Sequence, residues 1–501
     1  MHRIYITLII SLTVLFGVHV RAQNESISDL DKYIEESRKL YEVPGMSVTI
    51  VQEGRTLLSK GYGHLGVNQA QKVDEETLFV MASTTKAFTA AAMAILVDEG
   101  KVKWSDKVTK YLPTFKLSEP YVTNEITIKD LFTHNSGLSG TDLLWTMWDY
   151  SPEEMIERIA EAPLRYSLRS GYRYQNVMYM TAGLVIEKIS GQNWEAFIEQ
   201  KIFDPLGMTR TYGLRSQAYM DTNRVRPHAT VDGDVIEIID SAADSINAAG
   251  SAWTCSKDIA RWIQFMADSA QINGRRLISE EGYRMITSPH IIIPEAQFYS
   301  SQVYTKPHFR AYGLGWYMHD YQGEKVLFHT GSLNGAVAIA GLLPEHNIGV
   351  YITANLGGAE VRHALMYKIF DDLLGLESRD WSRDIKQLYE NIRTGSIVRR
   401  ALRLGNREKE APPTHALEVF TGIYKNKFLG QLTIALHEDG LRITTRSDRH
   451  IILSHWHYNS FMGIVEEYKE FEKGSLFDFD INAYGQPSLD LYGYEFEKVN
   501  D

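Results

Sequence analysis

Hydrophobic positions along the chain change their period several times, and each change marks an element. Leu30, Tyr33, Ile34 and Tyr41 recur at helical spacing, which predicts an amphipathic packing helix over residues 29–41. Met46-Ser47-Val48-Thr49-Ile50-Val51 alternates and is β-branched, Glu53-Gly54 forms a turn, and Thr56-Leu57-Leu58-Ser59 resumes, so a hairpin follows. From Met81 to Leu96 the pattern becomes a near-continuous run of Ala, Met and Leu. Ser83 is its start and Gly100 its stop, which predicts one buried helix. Such an opening belongs to an α+β or α/β domain. Ser151-Pro152-Glu153-Glu154 starts a further helix that ends near Pro163. Val326-Leu327-Phe328 reads as an apolar strand running into Thr330-Gly331-Ser332, with Gly313-Leu314-Gly315-Trp316 as a neighbouring strand. From Arg379 to Arg403 the chain is charged and helical, with Trp381, Ile385, Leu388 and Ile392 three and four apart. The charges and paired prolines of Glu408 to Pro413 end a linker. Beyond it the period falls to two: Leu432, Ile434 and Leu436; Leu441 and Ile443; Phe477, Phe479 and Ile481; Leu489 and Leu491. Short strands at this spacing predict a small antiparallel barrel.

Composition narrows the class. A chain of 501 residues, 44% of them hydrophobic, can bury a large core and has the length for two or more domains. Residues 1–22 have the order of a secretory signal: His2 and Arg3, an apolar core from Ile4 to Val20, then Val20-Arg21-Ala22 as the cleavage site before Gln23. A membrane anchor is the alternative, but the apolar run is short for a span and no stop-transfer pattern follows. The expectation is an exported, periplasmic or secreted protein with no stable membrane span after signal removal. Net charge is −11, and cleavage would remove Arg3 and Arg21 as well. That balance disfavours nucleic acid or an anionic membrane as a partner. Cys255 stands alone, so no internal disulfide forms; a buried apolar role is expected for it.

The chemistry begins in the first turn of the expected 83–100 helix. Residues three apart share a helical face, so the Ser83 hydroxyl and the Lys86 amine would sit side by side. A serine hydroxyl becomes a nucleophile when a neighbour takes its proton, and a lysine can do so when burial holds its amine neutral. The bland alternative is an N-cap serine followed by a surface lysine. Tyr174 and Asn176 form a second candidate set, two apart on a turn or extended segment and able to point the same way. A phenol can act as a base if nearby cations lower its pKa, and Lys86 is such a cation. His134, in Leu131-Phe132-Thr133-His134-Asn135-Ser136-Gly137-Leu138, reads better as a hydrogen-bonded histidine shaping a turn than as a base. His329-Thr330-Gly331-Ser332 is suited to laying a backbone edge beside a bound peptide, with Gly331 allowing close approach. His450, His455 and His457 invite a metal, but no carboxylate or cysteine pattern accompanies them, and no metal is expected.

Ser83-x-x-Lys86, Tyr174-x-Asn176 and His329-x-Gly331, in that order and at those separations, resemble the serine β-lactamase and penicillin-binding-protein superfamily. The likeness is greatest to the class C β-lactamase-like branch, with its D-aminopeptidases, DD-peptidases and esterases. Val43-Pro44-Gly45-Met46, Thr77-Leu78-Phe79 and Pro205-Leu206-Gly207-Met208 extend it over residues 25–375. The module after residue 413 resembles the lipocalin-like domain attached to many hydrolases of this branch. The resemblance implies an α+β protein: a signal at 1–22, a hydrolase domain at 23–375 with an antiparallel sheet flanked by helices and a helical lobe, a helical linker at 376–413, and a barrel at 414–501. It implies Ser83 as acylated nucleophile, Lys86 as activator, Tyr174 as general base, Asn176 as substrate-orienting, and the N–H groups of Ser83 and Ser332 as oxyanion hole. No cofactor is implied. The expected substrates are amides or small peptides, including ones with D-amino acids, with an esterase or weak β-lactamase, or a cell-wall peptide-binding protein of negligible turnover, as the alternatives; self-association stays open. His329 stands where β-lactamases carry lysine. It is therefore expected to be a weaker, pH-dependent anchor for a substrate carboxylate, as in the D-aminopeptidase and esterase members.

Overall fold

The computed structural model describes residues 27–499 except 273, 378, 439 and 472; the expected signal at 1–22 lies outside the described residues. A helix over residues 27–40 (α1) leads into strands Gly45–Gln52 (β1) and Arg55–Gly63 (β2), the expected hairpin. The other strands of the main sheet come late in the chain: Ile291–Ile292 (β3), Arg310–Tyr312 (β4), Tyr317–Tyr321 (β5), Glu324–Leu333 (β6), Ala336–Leu343 (β7) and Ile348–Ala354 (β8). Their order is β2-β1-β8-β7-β6-β5-β4-β3, antiparallel throughout, so the first hairpin closes onto the last strand of the domain.

Both faces of this sheet are buried, and the alternation along β7 shows how. Ala338, Ala340 and Leu342 face helix Ser256–Ala267 (α4) and the helical lobe; Val337, Ile339 and Leu343 face helix Val361–Leu374 (α5). The helical lobe is built around helices Lys86–Asp98 (α2) and Asn176–Ser190 (α3). From Lys86 to Leu96 every residue of α2 is buried, and Phe88 packs edge-on against Phe203 and Trp262.

Two local expectations need correction. Gly313–Trp316 is a turn between β4 and β5, closed by the Gly313 N–H to the Trp316 carbonyl with Gly315 at φ +80°, and not a strand. Ser83 does not cap a helix: Ala82–Thr85 is a single 3₁₀ turn, α2 begins at Lys86, and the serine hydroxyl is left out of the backbone hydrogen bonding.

Helix Trp381–Gly405 (α6) is clamped to the hydrolase domain at its start, where Trp381 Nε1 donates to Asp371 (2.6 Å). Past Ile392 it stands largely in solvent. The barrel follows: Gly422–Asn426 (β9), Gly430–His437 (β10), Gly440–Thr445 (β11), His450–His457 (β12), Ser460–Val465 (β13), Ser475–Ile481 (β14), Pro487–Leu491 (β15) and Tyr494–Lys498 (β16). Each strand pairs with the next and β9 closes on β16. Its interior is filled by Phe420, Tyr424, Phe461, Phe479 and the aliphatic residues between them. Among the described residues no group of three histidine, cysteine or carboxylate side chains is placed to hold a metal; His455 and His457 are separated by a bulge in the β12–β13 ladder. Cys255 is free and buried.

Candidate active site

Ser83 is presented by a strained turn. Met81 is held by its N–H to the Ala252 carbonyl (2.8 Å), and Ala82 takes φ +46°, a left-handed backbone that costs a side-chain-bearing residue about 1 kcal/mol or more. Strand β6 comes in from the other side. Its pairing with β5 stops at Phe328, so from His329 to Leu333 it is paired with β7 alone and its other edge is open. Gly331 permits that edge to close on the serine: a Cβ there would overlap the Met81 carbonyl oxygen and crowd Ala82. Ser332, one residue on, is exposed at the mouth while Ser83 is half-buried.

Lys86 is fully buried in the turn below. Its Nζ lies 3.1 Å from Ser83 Oγ, 2.8 Å from Asn176 Oδ1 and 2.7 Å from the Ala249 carbonyl oxygen, with the Tyr174 ring centroid at 4.8 Å. Burial pushes the amine well below the ordinary lysine value, opposed by the Asp142 carboxylate. A neutral amine has two N–H bonds and one lone pair. Two of its three neighbours are carbonyl oxygens that can only accept, so both hydrogens go to them and the lone pair is left for the Ser83 hydroxyl.

Asn176 is the first residue of α3, and Tyr174 lies two before it on the extended lead-in. Gln175, between them, points the opposite way: its amide donates to the carbonyls of Leu138 and Ser139 and tethers that loop. The Tyr174 ring rests on His134, with centroids 4.2 Å apart. Burial raises the phenol well above the ordinary tyrosine value, with the Ser83 hydroxyl pulling the other way, and no well-directed hydrogen bond occupies its OH. This overturns the expectation that Lys86 lowers the tyrosine: burial dominates the phenol, and the amine is itself pushed well below its ordinary value. His134 sits at φ +58° and accepts the Gln175 N–H at Nδ1 (3.0 Å), so it shapes its turn and also forms one wall of the tyrosine's pocket.

His329 needs a correction too. Its Nδ1 is bonded to the Thr330 carbonyl (2.7 Å) and its Nε2 to the Tyr312 hydroxyl (2.8 Å), and the side chain is buried. Burial first, then Lys86, brings it down to about 3. A neutral imidazole with both nitrogens engaged cannot anchor a substrate carboxylate. Two charged residues escaped the sequence reading. Asp142 accepts from Asn176 Nδ2 (3.1 Å) and Trp145 Nε1 (3.1 Å). Arg362, at the start of α5, is buried beneath β6 and donates to the Gly331 carbonyl (2.5 Å) and Ser332 Oγ (2.9 Å). Burial works to raise its partner Glu360, yet Arg362 and His363 outweigh it and bring that carboxyl to about 2. Neither residue carries a local sequence signal for the site, because the site residues they touch lie 34 positions (Asn176) and 31 and 30 positions (Gly331, Ser332) away.

Known proteins match most of the chain. Residues 30–371 match the family described as Beta-lactamase, and residues 406–499 match a domain of unknown function, DUF3471. The sequence is 27% identical over 456 residues to unguisins hydrolase ungD of Aspergillus violaceofuscus, covering 84% of this chain and 78% of that protein. It is 27% identical over 349 residues to protein flp of Staphylococcus aureus, covering 68% and 65%. The fold matches the octameric penicillin-binding protein homologue from Pyrococcus abyssi with a TM-score of 0.61 at 21% identity, over 94% of this chain and 100% of that one.

Proposed function

The chain belongs to the beta-lactamase family of serine hydrolases, and on that footing we propose that it cleaves amide or peptide bonds through an acyl-enzyme on Ser83. The observation that carries the reading is the buried Lys86 amine, 3.1 Å from Ser83 Oγ and flanked by two carbonyl acceptors that take its N–H bonds when it is neutral. Lys86 takes the serine proton as Oγ attacks the substrate carbonyl carbon. The negative oxygen that forms is received by the N–H groups of Ser83 and Ser332, a pair of donors each worth about 2.7–4 kcal/mol in comparable sites. Collapse of the tetrahedral intermediate expels the amine or alcohol, which receives the proton from Lys86 by way of the Tyr174 hydroxyl. Water, deprotonated along the same route, then attacks the ester and releases the acid with Ser83 restored. Tyr174 serves as a neutral relay here, in keeping with its raised pKa.

The substrate lies along the open edge of β6, adding a strand-like segment to His329–Ser332. With His329 neutral, no free carboxylate is required of the substrate, which places amides, short peptides and D-amino-acid peptides ahead of β-lactams. Assay of D- and L-amino-acid amides, acyl esters and a chromogenic β-lactam on one preparation tests this: amides should turn over best, and Ser83→Ala should abolish it. Efficient β-lactam hydrolysis would contradict the assignment, and stoichiometric acylation without turnover would favour the binding-protein alternative. Export is part of the proposal, with N-terminal sequencing expected to begin at Gln23. Self-association, as in the octameric homologue, is read by mass in solution.

A further inference from the structure

We propose that the C-terminal barrel is a working part of the active site: through Tyr494 it holds the Gly140–Asp142 segment so that Asp142 locks the Asn176 amide against Lys86. The inference rests on the roles given above to Ser83 and Lys86. The barrel grips the chain from Gly140 to Tyr150 along its length. The Tyr494 hydroxyl donates to the Gly140 carbonyl, Thr445 and Ser447 donate to the Met147 carbonyl (3.0 and 2.9 Å), Phe496 stacks on Trp148 (centroids 5.8 Å), and Tyr150 donates to the Leu429 carbonyl (3.0 Å). On its other side the same segment meets the catalytic centre, where Thr141 donates to Gln175 (3.1 Å) and Asp142 receives Asn176 Nδ2.

The lock follows from donor and acceptor types. An asparagine amide can be turned either way, and only one way suits Lys86: Oδ1 toward the amine, Nδ2 away. A carboxylate is acceptor-only, so Asp142 on the far side permits that orientation alone. Asp142 is itself exposed, held by Trp145, Asn176 and the path of the backbone from Gly140, and that path is what Tyr494 fixes. Tyr494 is therefore a positioning residue, 354 positions from the glycine it holds.

The test is the rate at which a fluorophosphonate labels Ser83 across pH, on the full chain, for wild type, Tyr494→Phe, Asp142→Ala, their combination, and Arg446→Gln. The groups facing Lys86 are Asp142, His134, His329, Tyr174 and Tyr179; of these Asp142 alone raises its pKa. Tyr494→Phe should slow labelling about fivefold, the size of one lost hydrogen bond. It should also move the acid limb to lower pH, as Asp142→Ala does to a greater degree. The double variant should be no slower than Asp142→Ala alone, since both act on one contact. Arg446→Gln breaks a barrel contact to Glu154 away from Asp142 and should lower thermal stability with the limb unmoved. Wild-type rate and limb in Tyr494→Phe, or a loss that multiplies with that of Asp142→Ala, would overturn the proposal. Failure of the wild type to label at Ser83 would overturn the reading beneath it as well.

Discussion

Lys86 Nζ has three hydrogen-bonding neighbours, two of which can only accept, which leaves Ser83 as the group its neutral form can deprotonate. Lys86→Arg keeps a positive charge that cannot be given up, so acylation should fall by about 10²–10⁴-fold; Lys86→Met should be equally slow, as charge is not what the position supplies. The sign of the pH effect is fixed. Lys86 is depressed by burial, so the neutral base persists well below the ordinary lysine pKa, and rate is lost only as pH falls through the depressed value. Labelling should therefore persist at pH values well below the ordinary lysine pKa and fall only on further acidification, which a stopped-flow series checks. A second prediction concerns His329. Being neutral above about 3, it should leave KM for carboxylate-bearing and carboxylate-free substrates with the same pH dependence between about pH 5 and about pH 8. A break near the ordinary histidine value, for the carboxylate-bearing substrates alone, would restore His329 as an anchor. Ser83 and Lys86 were legible because their three-residue spacing brings side chains together in a 3₁₀ turn as it does in an α-helix. The state of His329 was not, since Tyr312 and the Thr330 carbonyl that engage it declare nothing in the sequence.

At the scale of elements, the site depends on how closely β6 approaches the Ala82–Thr85 turn. Gly331→Val would drive its side chain into the Met81 carbonyl and Ala82, so the strand must retreat from Ser83. The expected outcome is a loss of at least about 10²-fold in acylation with the fold retained, checked by labelling rate against circular dichroism. The loop carrying His134 depends on Asp130. This buried carboxylate accepts from Thr127 N–H (2.9 Å) and Oγ1 (2.6 Å) and from Arg169 (2.6 and 3.0 Å). Burial works to raise its pKa, but the Arg169 and Thr127 bonds prevail and lower it. Its contribution is thus present above the ordinary carboxylate range and lost as pH falls through the lowered value. Asp130→Ala should destabilise by about 2–3 kcal/mol, less than for a fully buried pair because Arg169 is partly exposed and can be rehydrated. The sequence announced the hairpin, the buried helix and the strand of β6 through period and β-branching. It misled at Gly313–Trp316, where the apolar residues suggested a strand although the two glycines marked a turn; Gly315 there fits against the Lys86 and Ala87 backbone where a Cβ would collide.

For the whole molecule, the barrel and the hydrolase domain share a buried interface, with Trp148 stacked on Phe496 at its centre and Arg446 paired to Glu154 at its edge (2.6 Å). Both should therefore unfold in one calorimetric transition. Trp148→Ala, which removes a fully buried indole, should cost about 3–5 kcal/mol and resolve two transitions. Two well-separated transitions in the wild type would mean that the barrel is only tethered. Alternation made the barrel legible in the sequence; its docking on the 140–150 segment was not, because interface residues such as Trp148 and Tyr150 look like ordinary core.

The central claim, that a neutral Lys86 activates Ser83 as the covalent nucleophile, is tested most directly by treating the protein with a fluorophosphonate at neutral pH and mapping the adduct by mass spectrometry. A single adduct on Ser83 is expected in the wild type and in Tyr174→Phe, and none within the same time in Lys86→Arg. An adduct on any other serine, or labelling of Lys86→Arg at the wild-type rate, would contradict it.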